Sequence, residues 1–183
     1  MKDEKLEWKE EKRKEILKTV VFTVTERYST GPDGQKGTYI VNEAPDWVIV
    51  IPVDGEDFLM VKQWRHGSKC LSIEFPGGVA EKGEDFEVSA RRELEEETGA
   101  QAGKLTLLGE FSPNPALFAN KVHVYCAEDL KFSGEQKLDT DEFVTYMKIS
   151  KKEVYEKMGS AEFPHGLMLS ALCQIGRASC RER

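Results

Sequence analysis

The sequence predicts an α+β chain in which a mixed sheet is packed between helices as an α/β/α sandwich. Runs of β-branched and aromatic residues outnumber helical patterns, as in "VVFTVTERYS" (20–29), "GTYIVNEA" (37–44) and "DWVIVIPVD" (46–54). Strands and helices do not follow the regular alternation of a doubly wound parallel sheet. At 183 residues the chain is long enough for one domain with a sizeable core and short for two.

Each element follows from local pattern. Residues 2–18 have helix-forming composition, mixed charge and only Leu6, Trp8, Ile16 and Leu17 as apolar contacts, which predicts a solvated or weakly packed arm. The runs 20–29 and 37–44 flank "TGPDGQKG", whose Pro-Asp-Gly supplies hairpin turn chemistry. "DWVIVIPVD" and "DFLMVKQWR" bracket a second hairpin, and the first of these strands has so few polar positions that burial on both faces is expected. "LSIEFPGGV" reads as a short strand entering a Pro-Gly-Gly turn. From Glu84 or Asp85 the pattern turns helical, with Phe86, Ala90 and Leu94 as the buried stripe and Gly99 at the stop. Strands at 104–112 and 121–130 follow, joined by "PNPALFAN"; after the acidic segment 133–142 come a strand at 143–150, a helix capped by Ser150, and a last helix at 165–175. The expected domains are an arm and hairpin at 1–45 and the main body at 46–175, with the aperiodic tail 176–183 left out.

Composition excludes several functions. The net charge of −7 and the lack of a basic stripe argue against nucleic-acid binding. Cys70, Cys126, Cys173 and Cys180 form no CxxC pair and have no histidine at ligand spacing, so they read as reduced thiols of a cytoplasmic protein. The N-terminus lacks the apolar core of a secretory signal, and "WVIVIPV" is far short of a membrane span.

The chemistry concentrates at Glu93, Glu95, Glu96 and Glu97. On a helix, Glu93, Glu96 and Glu97 share one face, where like charges repel by about 0.2–0.5 kcal/mol per pair. A solvated charged face, offset by Arg91 and Arg92, is one explanation. The other is a cation site, because the opposite stripe is buried, glycines lie just upstream, and stacked carboxylates suit a hard divalent ion.

The stretch 78–100 resembles the signature of the Nudix hydrolases. That signature is a glycine, five residues, a glutamate, seven residues, then Arg-Glu-apolar-any-Glu-Glu-any-Gly-apolar, met here by Gly78, Glu84, Arg92, Glu93, Leu94, Glu96, Glu97 and Gly99. Ala100 stands where a larger aliphatic is usual. The resemblance implies a Nudix-type sandwich in which Glu93, Glu96, Glu97 and the Gly77 carbonyl hold Mg²⁺ or Mn²⁺, with Glu84 and Arg92 orienting the ligands. It implies water attack on a phosphorus of a nucleoside diphosphate derivative.

"VKQWRHG" (61–67) and "IEFPGG" (73–78) are similar to the branch that cleaves ADP-ribose and nucleoside diphosphate sugars, as is Pro115, 16 residues past Gly99. The branch implies a homodimer through the N-terminal hairpin, and substrate contacts from Arg65, Glu74 and Pro115. A sheet-edge salt bridge is the alternative for Arg65. The general base is expected in "KLDTDEF", from Asp139, Asp141 or Glu142. ADP-ribose, split to AMP and ribose 5-phosphate, is the leading substrate. The loop "NPALFANK" and Pro-Gly-Gly, where Pro-Ala-Gly is common, depart from the branch and keep GDP-mannose and UDP-glucose as alternative substrates. A Nudix-fold module that binds a nucleotide without cleaving it is the alternative of another class, against which all the glutamates of the signature are retained here.

Overall fold

The computed structural model describes residues 5–132, 134–140 and 142–181. Contacts divide the chain into two units, one of 1–45 with Ser112–Lys121, the other of Asp46–Phe111 with Val122–Arg183.

The first unit is an antiparallel sheet of β1 (Lys9–Lys18), β2 (Thr23–Thr30) and β3 (Lys36–Glu43), in that order. The hairpin expected from Pro-Asp-Gly joins β2 to β3, with Gly34 at a φ of 83°. β1 corrects the helical arm expected from composition. Its charges find partners along and across the strands: Arg13 donates to Glu10 on the same strand at 2.9 Å and to Glu43 on β3 at 2.8 Å, and Arg27 on β2 donates to the same Glu43 at 2.7 Å. Helix propensity is a weak prior, and strand pairing with a cross-strand ion network overrides it here. In the second segment of this unit, the Asn42 N–H donates to the Leu117 carbonyl at 2.7 Å.

The second unit holds a seven-stranded mixed sheet of β4 (Trp47–Asp54), β5 (Asp57–Arg65), β6 (Cys70–Glu74), β7 (Gly77–Val79), β8 (Ala100–Phe111), β9 (Val122–Phe132) and β10 (Thr145–Ser150). Its main path is β10-β5-β4-β9-β8, with β6 on β5 and β7 on β4. The helices are α1 (Phe86–Thr98), α2 (Lys151–Lys157) and α3 (Gly166–Arg181). β4 is parallel to β9, pairs with β7 at its start and with β5 at its end.

The period of two along β4 sorts the core into layers. Val48 and Val50 pack with Ala90 and Leu94 of α1. Ile49 and Ile51 face the other way, in a cluster with Val154 of α2 and Met168 and Leu172 of α3. Each fully buried side chain of this kind stabilises the fold by about 1.5–3 kcal/mol. The sandwich expected from the sequence is thus the observed fold.

Several boundaries differ from expectation, among them the start of β8 at Ala100 instead of 104. Gly77–Val79, read as a turn, is a short strand. The last helix runs on to Arg181, through most of the tail left out of the expected fold.

Candidate active site

α1 carries the carboxylates and is fixed at both ends. The Asp85 side chain caps the start by accepting the Glu87 N–H at 2.8 Å. Gly99 ends the helix at a φ of 69°, and a Cβ there would lie 2.4 Å from the Gly134 carbonyl oxygen. With Ala90 and Leu94 buried as expected, the face bearing Glu93 and Glu97 turns toward β7.

β7 supplies close backbone. A Cβ on Gly77 would meet the Val48 carbonyl oxygen at 2.2 Å, so only glycine lets this strand lie against β4. The Gly77 N–H donates to Glu97 Oε2 at 2.9 Å. A Cβ on Gly78 would fall 2.6 Å from both carboxylate oxygens of Glu93. Two glycines therefore make the space in which two carboxylates sit.

Arg92 organises the outer side. It donates to Glu84 at 3.1 and 3.2 Å, to Glu93 at 2.8 Å and to Glu96 at 3.0 Å. The Arg92 hydrogen bonds, joined by one from Ser89, hold the Glu84 carboxyl down at about 2. Among the described residues no group of three or more His, Cys, Asp or Glu side chains is gathered at metal-holding geometry. Glu97 is turned to Gly77, and Glu93 and Glu96 to Arg92, each carboxylate taking the nearest donor.

The donor set nonetheless fits a divalent cation. Burial pushes the Glu97 carboxyl up to about 8, with the nearby Glu93 and Glu142 charges adding to it and the Gly77 N–H opposing. Glu93 is raised for the same first reason, its burial outweighing Arg92. Oxygen ligands that repel one another in a low-dielectric cleft are the surroundings a hard cation relieves.

A cleft of about 370 Å³ brings together Arg65, Gly77, Glu93 and Glu97 with Asp139 and Glu142 of the loop after β9. Asp141 lies outside the described residues. Glu96 is absent from the lining, and Pro115 belongs to the first unit. Glu74, expected as a substrate contact, is fully buried and does not face the cleft. Its carboxylate accepts two hydrogen bonds from Arg65, one at 2.8 Å from Nε, and these hold it below the usual carboxylate range against the effect of burial. Arg65 thus has both the pairing offered as its alternative and a place in the cleft.

Sequence reasoning missed Gln63, which lines the same cleft. The period of two on β5 already puts it on the face of Arg65. A second recess of about 250 Å³ adjoins, with Trp47, Leu167 and Met168 as apolar wall and Arg65 and Gly77 shared with the cleft.

The model of the NUDIX domain matches residues 44–167. The chain belongs to the Nudix family. It is 38% identical over 133 residues to an ADP-ribose pyrophosphatase of Bacillus subtilis (strain 168), covering 72% of each chain. It is 35% identical over 127 residues to a methanol dehydrogenase activator of Bacillus methanolicus, covering 68% of this chain and 69% of that one. A crystal structure of an ADP compounds hydrolase superposes with a TM-score of 0.84 over 97% of both chains at 21% identity, a likeness of fold. The Nudix match includes the whole of α1, β7 and the loop carboxylates, so the cleft lies inside the family's domain.

Proposed function

We propose that this Nudix chain is a divalent-metal-dependent pyrophosphatase that splits ADP-ribose into AMP and ribose 5-phosphate. The observation that carries it is the 38% identity to an ADP-ribose pyrophosphatase over 72% of both chains. The chemistry of the cleft agrees.

Glu93, Glu96, Glu97 and the Gly77 carbonyl would hold Mg²⁺ or Mn²⁺. When bound, the ion neutralises the pyrophosphate and lowers the pKa of the attacking water. Arg65, on the same cleft, pairs with a phosphate oxygen, and Glu74 holds its guanidinium from behind. Of the two described loop carboxylates, Asp139 and Glu142, Glu142 is the general base of choice, because its charge bears on both Glu93 and Glu97. It accepts a proton from the water whose oxygen bonds to phosphorus, and the bond to the bridging oxygen breaks with its electron pair leaving on the departing monophosphate. The recess beside Trp47 suits the uncharged part of the substrate.

Two further points belong to this proposal. β1 is exposed along its whole length, and Ile16, Leu17, Val20 and Val21 are at least half exposed, which favours a homodimer through the N-terminal unit. Free thiols at Cys70, Cys126 and Cys173 favour the cytoplasm. Among the described residues no helix is long and apolar enough to cross a membrane.

The test is phosphatase-coupled phosphate release from ADP-ribose, GDP-mannose, UDP-glucose, diadenosine polyphosphates and nucleoside triphosphates, with Mg²⁺ or Mn²⁺ and with EDTA. ADP-ribose should be turned over best and EDTA should abolish it. Preference for another sugar nucleotide changes the substrate; binding without turnover makes the chain a binding module.

A further inference from the structure

The last turn of a helix leaves carbonyls without intrahelical partners, and something must satisfy them when they are not in water. In α1 the Glu95 carbonyl takes the Gly99 N–H at 2.8 Å, as a left-handed glycine cap does. The next two are taken by the segment that carries the loop carboxylates. The Lys137 N–H donates to the Glu96 carbonyl at 2.9 Å, and Gln136 Nε2 donates to the Glu97 carbonyl at 2.6 Å. The same Gln136 nitrogen donates to the Val144 carbonyl at 3.2 Å. Lys137 Nζ adds an ion pair with Glu95 at 2.9 Å.

The geometry is that of a clamp. Both N–H bonds of one carboxamide are used, one on the backbone of Glu97, the other two residues past Glu142. Val144 is buried, so its carbonyl is a fixed point. Between the two anchors the chain carries Asp139 and Glu142 to the cleft wall facing Glu93 and Glu97. The Glu142 side chain in turn accepts the Asp139 N–H at 3.3 Å. The close approach of Gly134 to Gly99 lets the segment lie this near the helix end.

We propose that Gln136 is a positioning residue which, with the Lys137 backbone, holds the Glu142 loop at a fixed distance from the Glu93/Glu97 face of α1. Among the described residues, Gln136 is the side chain that bridges those two carbonyls. The proposal rests on the pyrophosphatase reading, in which Glu142 takes the proton. A displacement of about 1 Å in such a group costs on the order of 100-fold in rate.

The test is the variant Q136M, which keeps the length of the side chain and removes both donors. Expected is a fall in kcat on ADP-ribose of about 10- to 100-fold, with KM and the Mn²⁺ dissociation constant within about threefold of wild type. The double variant Q136M/E142Q should be no slower than E142Q alone, because both changes remove the same function. Multiplying effects, or unchanged kcat in Q136M, overturn the proposal.

Amide exchange in the wild-type protein reads the clamp without turnover or substitution. The Lys137 amide should be protected like the helical amides of α1, and exchange at the rate of an unstructured amide overturns the proposal even if Q136M unfolds. A protected Lys137 in a chain that turns over no nucleotide leaves the clamp standing and overturns the pyrophosphatase reading instead.

Discussion

Glu97 is the residue where burial, charge and chemistry meet. Its carboxyl stands near 8 against an ordinary 4.5. The folded metal-free chain therefore keeps a proton there that the unfolded chain releases above pH 4.5. Stability from this group is full below that point and declines as pH rises toward 8. A divalent ion competes with the proton, so its binding tightens with pH and releases protons. In EDTA the melting temperature should fall between about pH 5 and pH 8, less so in E97Q, and Mg²⁺ should raise it more at the upper end. Equal slopes for wild type and E97Q would remove Glu97 as the source. In turnover, E97Q and E96Q should each lower kcat by about two to four orders of magnitude while the chain stays folded. E97Q can still accept the Gly77 N–H through its amide oxygen, so lost activity there reports on charge and not on the β7 contact.

At the scale of elements, α1 was legible because its signals are local. A capping aspartate, an apolar stripe at helical spacing and a terminal glycine lie within one stretch, and the carboxylates are placed by the same period. β7 was not legible. Its strand character comes from pairing with Trp47–Ile49, residues distant in sequence, and two glycines carry no strand propensity of their own. The same limit hid Gln136, whose partners are backbone carbonyls that no residue pattern announces. The role of Glu74 was missed for a related reason: burial inverts its reading, from a carboxylate in the cleft to the anchor of Arg65. Gly78 joins β7 to α1 and yields a direct test. In G78A the new Cβ would fall 2.6 Å from both Glu93 oxygens, so Glu93 must move while the strand pairing survives. Activity should drop by about 10- to 100-fold with far-ultraviolet circular dichroism unchanged. Full activity in G78A would mean that the Glu93 carboxylate is not held against β7 during turnover.

For the whole molecule, the sandwich could be read from its strand runs because the buried positions of β4 alternate so cleanly between two helical layers. The N-terminal unit could be read only in its hairpin. β1 has the composition of a helix, and what makes it a strand is an edge to pair with and charges to meet across it; neither is encoded at helical or strand period. That same strand sets the expectation for assembly. A ten-residue edge strand, exposed at every position, offers unpaired backbone groups, and Leu17 and Ile16 at 55% and 50% exposure, beside Val21 at 57%, add apolar area to it. A second copy of the same surface is the simplest cover, since identical patches meet across a two-fold axis. Light scattering should then return twice the chain mass of 20.7 kDa, and the melting temperature should rise with protein concentration by mass action. I16E/L17E puts like charges into the paired edge and should return the single-chain mass with the concentration dependence gone. A wild-type chain that stays at the single mass at about 100 μM, well above typical dissociation constants for stable interfaces, would leave β1 as a solvated edge guarded by its own lysines and glutamates.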